Sequence, residues 1–503
     1  MTIFKPSHIF AGLMILLIAV ILRFSYPNSL PVFADESIYI RWAQIMRSEA
    51  TLRFLPLSDG KQPLFMWAAI PFLKIISDPL IAGRTLSAMA GVGTVMGVGV
   101  AAFILFKKSR QALLAAALWA ALPYAVFFDR MALSDSLLTM FVVWTFNFAS
   151  LAFIHLRLDL VMFAGFSLGF AWLTKSPAIF SFLLIPALLF LVKLELKYPI
   201  RLIKLLGLML AIYVIAFAMY NILRLGPQFH MIALRNKDYV YPLSEIIRHP
   251  LSPLIPHLKD SVIFYLYLAT PFGLVLSLWG LVSDKLTHWR QRLILLVWWL
   301  VPVFVQSLVA ISFTARYLLF TAPFAVVLMS HAAEHIGEKT QRHLLTYAAV
   351  LLVIIPSLWF VGRLIVSPGT VPLPRIERAG YLEEWTAGTG IRQVSDLIKN
   401  YAANGPVLIG SEGFFGTPFD ALGMYLDGVA NVRVIGVGVW IDSVSDKLKS
   451  ALGDNQVFLV VNSSRFHGDP DRLGLKLLAS YPKAVSPEGS QEFLLFFAVF
   501  PQK

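Results

Sequence analysis

The run Ile9-Phe10-Ala11-Gly12-Leu13-Met14-Ile15-Leu16-Leu17-Ile18-Ala19-Val20-Ile21-Leu22-Arg23-Phe24-Ser25-Tyr26 is followed shortly by Ala34-Asp35-Glu36-Ser37-Ile38-Tyr39. The apolar run is long enough to cross about 30 Å of hydrocarbon, and the acidic pair stands just past the point where it would leave the bilayer. Carboxylates at that lip are costly unless solvated, paired or used, so Asp35 and Glu36 are candidate functional residues. A plainer role is also open. Asp35 precedes Ile38, Trp42, Ile45 and Met46, an apolar stripe at helical spacing with Arg41, Gln44 and Arg47 opposite. At the start of such a helix it would accept backbone N–H bonds as a cap.

The rest of the chain has the same character. With 58% hydrophobic, 13% aromatic and only 14% charged residues over 503, it reads as a polytopic α-helical membrane protein. The net charge of +13 belongs with cytoplasmic turns and anionic head groups rather than with nucleic acid. The absence of cysteine excludes disulfides, thiolate catalysis and Cys-ligated zinc. Lys5 precedes the first apolar run without a small-residue cleavage site, so that run is expected to be an uncleaved span.

Eleven apolar runs are expected to cross, at roughly 8–26, 80–106, 111–128, 136–154, 160–175, 177–193, 202–223, 261–282, 292–312, 316–333 and 343–365. A shorter segment, Pro63 to Ile76, carries Pro71 and Lys74 and suits an interfacial or re-entrant helix. With the N-terminus inside, the basic turns Lys107 to Arg110, His155 to Asp159, Lys193 to Lys204, Asp284 to Arg292 and Glu334 to His343 all fall in the cytoplasm. That orientation places Ser29 to Asp78, the basic loop Arg224 to Lys259 and the C-terminus outside a multi-pass plasma-membrane protein. After Val366 the composition becomes globular, dividing the chain into a transmembrane domain, 1–366, and an extracytoplasmic domain, 367–503. The latter alternates a helical run, Arg392 to Tyr401, with strand-like runs at Val407–Gly410, Val432–Val439, Gln456–Val461 and Phe493–Phe500. This alternation predicts a small α/β domain. Gly388-Thr389-Gly390 lacks the third glycine of a phosphate loop and reads as a turn.

The threading gathers Asp35, Glu36, Lys61, Arg84, Asp129, Arg130, Asp135, Lys175 and Arg316 at the outer face. Singly, such cations snorkel to head groups, and Ser134 or Asp135 suits a helix cap. Together they make a site in which cations hold a lipid phosphate while a carboxylate acts as base on a nucleophile.

The acidic pair followed by Tyr39, then Lys61-Gln62-Pro63 before an apolar helix with Trp67, then Arg84, resembles the dolichyl-phosphate-mannose protein mannosyltransferases. It is similar also to the lipid A aminoarabinose transferase, another member of the C-type (GT-C) glycosyltransferase superfamily. The turn Arg130 to Asp135, Leu173-Thr174-Lys175, and Arg316-Tyr317 followed by Pro323 share the likeness, which covers roughly residues 1–335. It implies inverting transfer of a sugar from a polyprenyl-phosphate carrier to a protein, lipid or glycan acceptor of the cell envelope, with membrane lipids around it. Asp35 would be the general base, Glu36 its support, and Lys61 the ligand of the carrier phosphate. Arg84, Lys175 and Arg316 would help at that phosphate, Asp135 would line the sugar pocket, and Tyr39, Arg130 and Tyr317 would contact substrate. No cofactor is implied with certainty. A divalent metal ion is conceivable, although Gly60 stands where the aminoarabinose enzyme has a carboxylate, and His230, His249 and His257 show no ligand spacing. The alternative is a transporter or flippase of lipid-linked sugars, which should show repeated halves and midplane charges; no repeat is visible.

Overall fold

The computed structural model describes residues 5–192, 199–283 and 287–501. Parts of two basic turns used for orientation, 193–198 and 284–286, lie outside the described residues. In chain order the helices used below are α1 (Pro6–Phe24), α2 (Ala34–Ser48), α3 (Leu64–Ile75), α4 (Pro79–Phe106), α5 (Ser109–Ala121), α6 (Pro123–Asp129), α7 (Ser134–His155) and α8 (Leu158–Thr174). The strands are β1 (Val32–Phe33), β2 (Ala387–Gly388), β3 (Val407–Glu412), β4 (Val432–Gly438), β5 (Gln456–Asn462), β6 (Leu475–Pro482) and β7 (Phe493–Val499). Two compact units share the chain, one comprising 1–25, 53–67 and 85–362, the other 26–52, 68–84 and 363–503.

The first unit is helical. Seven helices among the described residues are long and apolar enough to cross a membrane, or up to nine if each of two bent pairs counts as one span. Two of the eleven expected spans, 160–175 and 177–193, correspond to shorter helices, Leu158–Thr174 and Ser176–Leu191. The expected span 111–128 is α5 and α6 bent by 54°, because Pro123 cannot donate to the helix that precedes it. The expected span 261–282 is a larger departure. Leu251–Leu268 and Pro271–Val282 meet at 113°. Thr270 and Pro271 end one helix and start the next, with the Thr270 hydroxyl accepting the Gly273 N–H at 3.2 Å. At 12 residues, α3 is about 18 Å long and too short to cross.

One buried ion pair ties α1 to α6. Arg23 Nε lies 2.9 Å from Asp129 Oδ2, and Arg23 Nη1 donates to the Ala120 carbonyl at 2.9 Å. Gly91 on α4 makes room for it, since a Cβ there would collide with the Asp129 carboxylate. Removing either partner of such a pair strands a charge in low dielectric.

The second unit is built on a five-stranded sheet in the order β4-β3-β5-β7-β6. Strands β4, β3 and β5 run parallel, while β7 is antiparallel to both β5 and β6. The strand runs read from sequence appear at 407–412, 432–438, 456–462 and 493–499, and the helix at Ile391–Ala402. Strand β6 was not foreseen. Leu448, Val457, Leu459, Val461, Phe497 and Val499 form the core on one face, each buried aliphatic contributing about 1.5–3 kcal/mol. Gly388-Thr389-Gly390 is the turn from β2 into that helix, with Gly390 at φ +84° as expected of a glycine in the left-handed region.

Glu412, the last residue of β3, is fully buried and accepts hydrogen bonds from Asn462 N (2.6 Å) and Nδ2 (2.7 Å). Burial outweighs these donors and pushes its carboxyl up to about 7. The folded state thus holds a proton that the unfolded chain releases near the ordinary glutamate value. Stability is therefore expected to fall as pH rises from about 4.5 to about 7, by roughly 3 kcal/mol. Lys483, lowered by burial only to about 8, stays charged throughout that window. Thermal unfolding of the full chain between pH 5 and 8 checks this: Glu412→Gln should flatten the slope, and an unchanged slope would assign it to another group.

Candidate active site

In the second unit, helix α2 begins at Ala34, with Asp35 and Glu36 in its first turn. The carboxylate that caps it is Glu36, whose Oε2 accepts the Phe33 N–H at 2.9 Å. Glu36 is also gripped by Arg84 at the start of α4, Nε to Oε1 at 2.8 Å and Nη2 to Oε2 at 2.7 Å. The remaining Arg84 N–H groups donate to the carbonyls of Pro27 (2.6 Å), Leu30 (3.0 Å) and Pro31 (2.9 Å). A guanidinium has five N–H donors, and all five are occupied here. With side chains 2% and 0% exposed, Arg84 and Glu36 form a clamp that sets where the chain turns into α2. Asp35 is half-buried beside it, at a helix start whose dipole favours a negative charge.

The same helix start is tied to the sheet unit. Strand β1 pairs antiparallel with β2, Val32 opposite Gly388 and Phe33 opposite Ala387, and the Ala34 N–H continues the ladder to the Thr386 carbonyl at 3.0 Å. Tyr39 is buried within α2, its ring 6.3 Å from that of Trp42.

In the first unit, Lys61 Nζ lies 3.4 Å from Asp59 Oδ2, and the other oxygen of Asp59 binds Arg235 at 2.7 Å. Sequence reasoning missed Asp59, a carboxylate two positions before the lysine rather than one. Arg235, which also binds Asp238 at 2.5 Å, accounts for part of the basic excess in the loop 224–259. A second group forms where α7 begins, α8 ends and Ala315–Thr321 passes. Lys175 Nζ binds Asp135 Oδ1 at 2.6 Å and lies 4.7 Å from the centre of the Tyr317 ring, with the Arg316 guanidinium 5.4 Å from that ring. Asp135 Oδ2 is buried and takes no hydrogen bond from the described residues. Arg130 donates to the Leu22 carbonyl at 2.9 Å, the end of α1. His257 stacks on Phe313 at 4.5 Å and binds the Ser307 carbonyl, a structural arrangement. Among the described residues no cluster of three or more His, Asp or Glu side chains is placed to hold a metal ion.

Comparison with known proteins agrees with this architecture. The family described as dolichyl-phosphate-mannose-protein mannosyltransferase matches residues 60–220. No curated protein sequence matches the chain. The structure of ArnT from Cupriavidus metallidurans in the apo state superposes with a TM-score of 0.59 at 13% identity over 99% of each chain. The same protein bound to undecaprenyl phosphate gives 0.57 at 14% identity, again over 99% of each chain. The archaeal oligosaccharyltransferase AglB from Archaeoglobus fulgidus gives 0.49 at 13% identity over 97% of this chain and 74% of its own.

Proposed function

We propose that this chain, whose fold is that of the C-type glycosyltransferases, is a membrane enzyme that moves a sugar from a polyprenyl-phosphate carrier to an acceptor hydroxyl at the outer face, with inversion. The observation that supports the reading is the Arg84 clamp on Glu36, which fixes the first turn of α2, where Asp35 stands. In this reading Asp35 accepts the acceptor proton as the oxygen forms its bond to the anomeric carbon, and the carbon–phosphate oxygen bond breaks on the opposite face. The leaving group is already an anion, so cations replace the acid that a glycosidase needs. Lys61 takes that role at the phosphate, with Lys175 and Arg316 as helpers, while the unengaged Oδ2 of Asp135 suits a donor sugar hydroxyl. Arg84 and Arg130, bonded to main-chain carbonyls, act by positioning.

Purified protein in lipid nanodiscs with a radiolabelled polyprenyl-phosphate sugar tests the assignment of Lys61. Lys61→Ala should raise the donor KM at least about tenfold, the scale of one charge-assisted contact; an unchanged donor KM would remove Lys61 from the phosphate. The matching orientation has the N-terminus in the cytoplasm and residues 367–503 outside. In this cysteine-free chain, Lys108→Cys should resist an impermeant thiol reagent added to intact cells and react after permeabilisation. Labelling from outside would reverse the topology.

A further inference from the structure

Three parallel strands of the second unit end at one edge, and their last residues collect a cluster that the transfer chemistry does not use. Glu412 ends β3 and Asn462 ends β5. The loops that follow β4 and β5 are joined by a short bridge, Ile441 N–H to the Arg465 carbonyl and His467 N–H to the Ile441 carbonyl. On this edge the Arg465 guanidinium lies 4.0 Å from the centre of the Trp385 ring and 5.7 Å from that of Trp440. His467 packs against Trp440 with ring centres 5.4 Å apart. Behind the stack, Glu412 Oε1 is 3.8 Å from Arg465 Nε, and Asn462 Oδ1 is buried without a hydrogen-bond partner among the described residues.

The carboxyl edge of parallel strands is where open α/β sheets bind ligands. Trp440 is 63% exposed, an unusual position for an indole held in place by a cation on one side and an imidazole nearby. Below about pH 7 Glu412 keeps its proton, so the Arg465 charge rests against the two indole rings rather than against a full carboxylate. A flat aromatic face flanked by polar groups, the His467 imidazole and the Arg465 guanidinium, matches a pyranose, which presents an apolar C–H face within a rim of hydroxyls. The place matters as much as the chemistry. Trp385 precedes Thr386, whose carbonyl takes the Ala34 N–H, and Asp35 is the next residue after Ala34.

We propose that the acceptor is a glycan and that one of its sugar residues stacks on Trp440 at this sheet edge. The proposal rests on the transferase reading above and names its acceptor class. Saturation-transfer difference NMR on the full chain in nanodiscs, with mannotriose, N,N′-diacetylchitobiose, maltotriose and a Ser/Thr pentapeptide as separate probes, tests it. The expected result is saturation of ring C–H protons of at least one saccharide, reduced about five- to tenfold in Trp440→Ala and partly restored in Trp440→Phe. Trp440 is exposed, so an unchanged melting temperature of the alanine variant accompanies that result. Signal from the pentapeptide alone, from no saccharide, or undiminished in Trp440→Ala overturns the proposal. Consumption of the radiolabelled donor by the unsubstituted protein reads the transferase assignment separately. Saccharide binding without donor consumption would sink that assignment, and donor consumption without saccharide binding would sink the acceptor site alone.

Discussion

Asp35→Asn should lower the turnover of sugar transfer by about 10²–10⁴, the usual contribution of a positioned general base. The substitution preserves volume and one carbonyl oxygen but removes the lone pair that would take the acceptor proton. It also removes a negative charge from the first turn of α2, worth about 0.3–1 kcal/mol to the helix, too little to unfold it. Transfer of radiolabel from a polyprenyl-phosphate sugar in nanodiscs should therefore collapse while binding of the carrier lipid persists. Transfer that continues undiminished would remove Asp35 as the base and move attention to Asp135.

Breaking the Arg84–Glu36 clamp should be nearly as damaging, for a different reason. Arg84→Ala leaves the Glu36 carboxylate buried without its partner and frees the carbonyls of Pro27, Leu30 and Pro31. Loss of one member of a buried pair costs about 3–5 kcal/mol, so both the unfolding temperature and the turnover are expected to drop. Arg84→Lys cannot reproduce two parallel N–H bonds and should recover little. Replacing both partners with apolar residues, Arg84→Met with Glu36→Leu, should restore stability in part without restoring turnover, because no charge is then stranded. If Arg84→Ala instead weakened only carrier binding and left stability untouched, Arg84 would be a phosphate ligand and not a clamp.

These two expectations show where sequence was and was not sufficient. Charge, hydropathy and the order of elements are local properties, and they made the apolar helices, α2 and four strands of the sheet legible. Partnership is not local. Arg84 reads in the sequence as a cation near a membrane surface, available to a phosphate, and only the fold shows three carbonyls from 27–31 and Glu36 filling its donors. Asp59 stands two residues before Lys61, a spacing that carries no signal by itself, and only the turn at Gly60, with φ +68°, brings the two side chains together. Strand β6 escaped because its pattern includes Lys476 and a half-exposed Leu477, as an edge strand permits. The ladder of β1 with β2 is two residues long on each side, below any periodicity that a single chain displays. The 113° bend at Ala269–Thr270 lay inside a hydropathy window that averages over it.

That two-residue ladder has a practical meaning for anyone dividing the protein. A gene ended after the last membrane helix, at Val366, would delete Thr386, Ala387 and Gly388, the strand neighbours of Val32, Phe33 and Ala34. The excised membrane portion would keep every residue from Asp35 to Tyr317, yet lose the main-chain partners on which its acidic motif is hung. The two halves are therefore not modules to be shuffled independently: inheritance of the motif without the tail would pass on the letters of the site and not its coordinates.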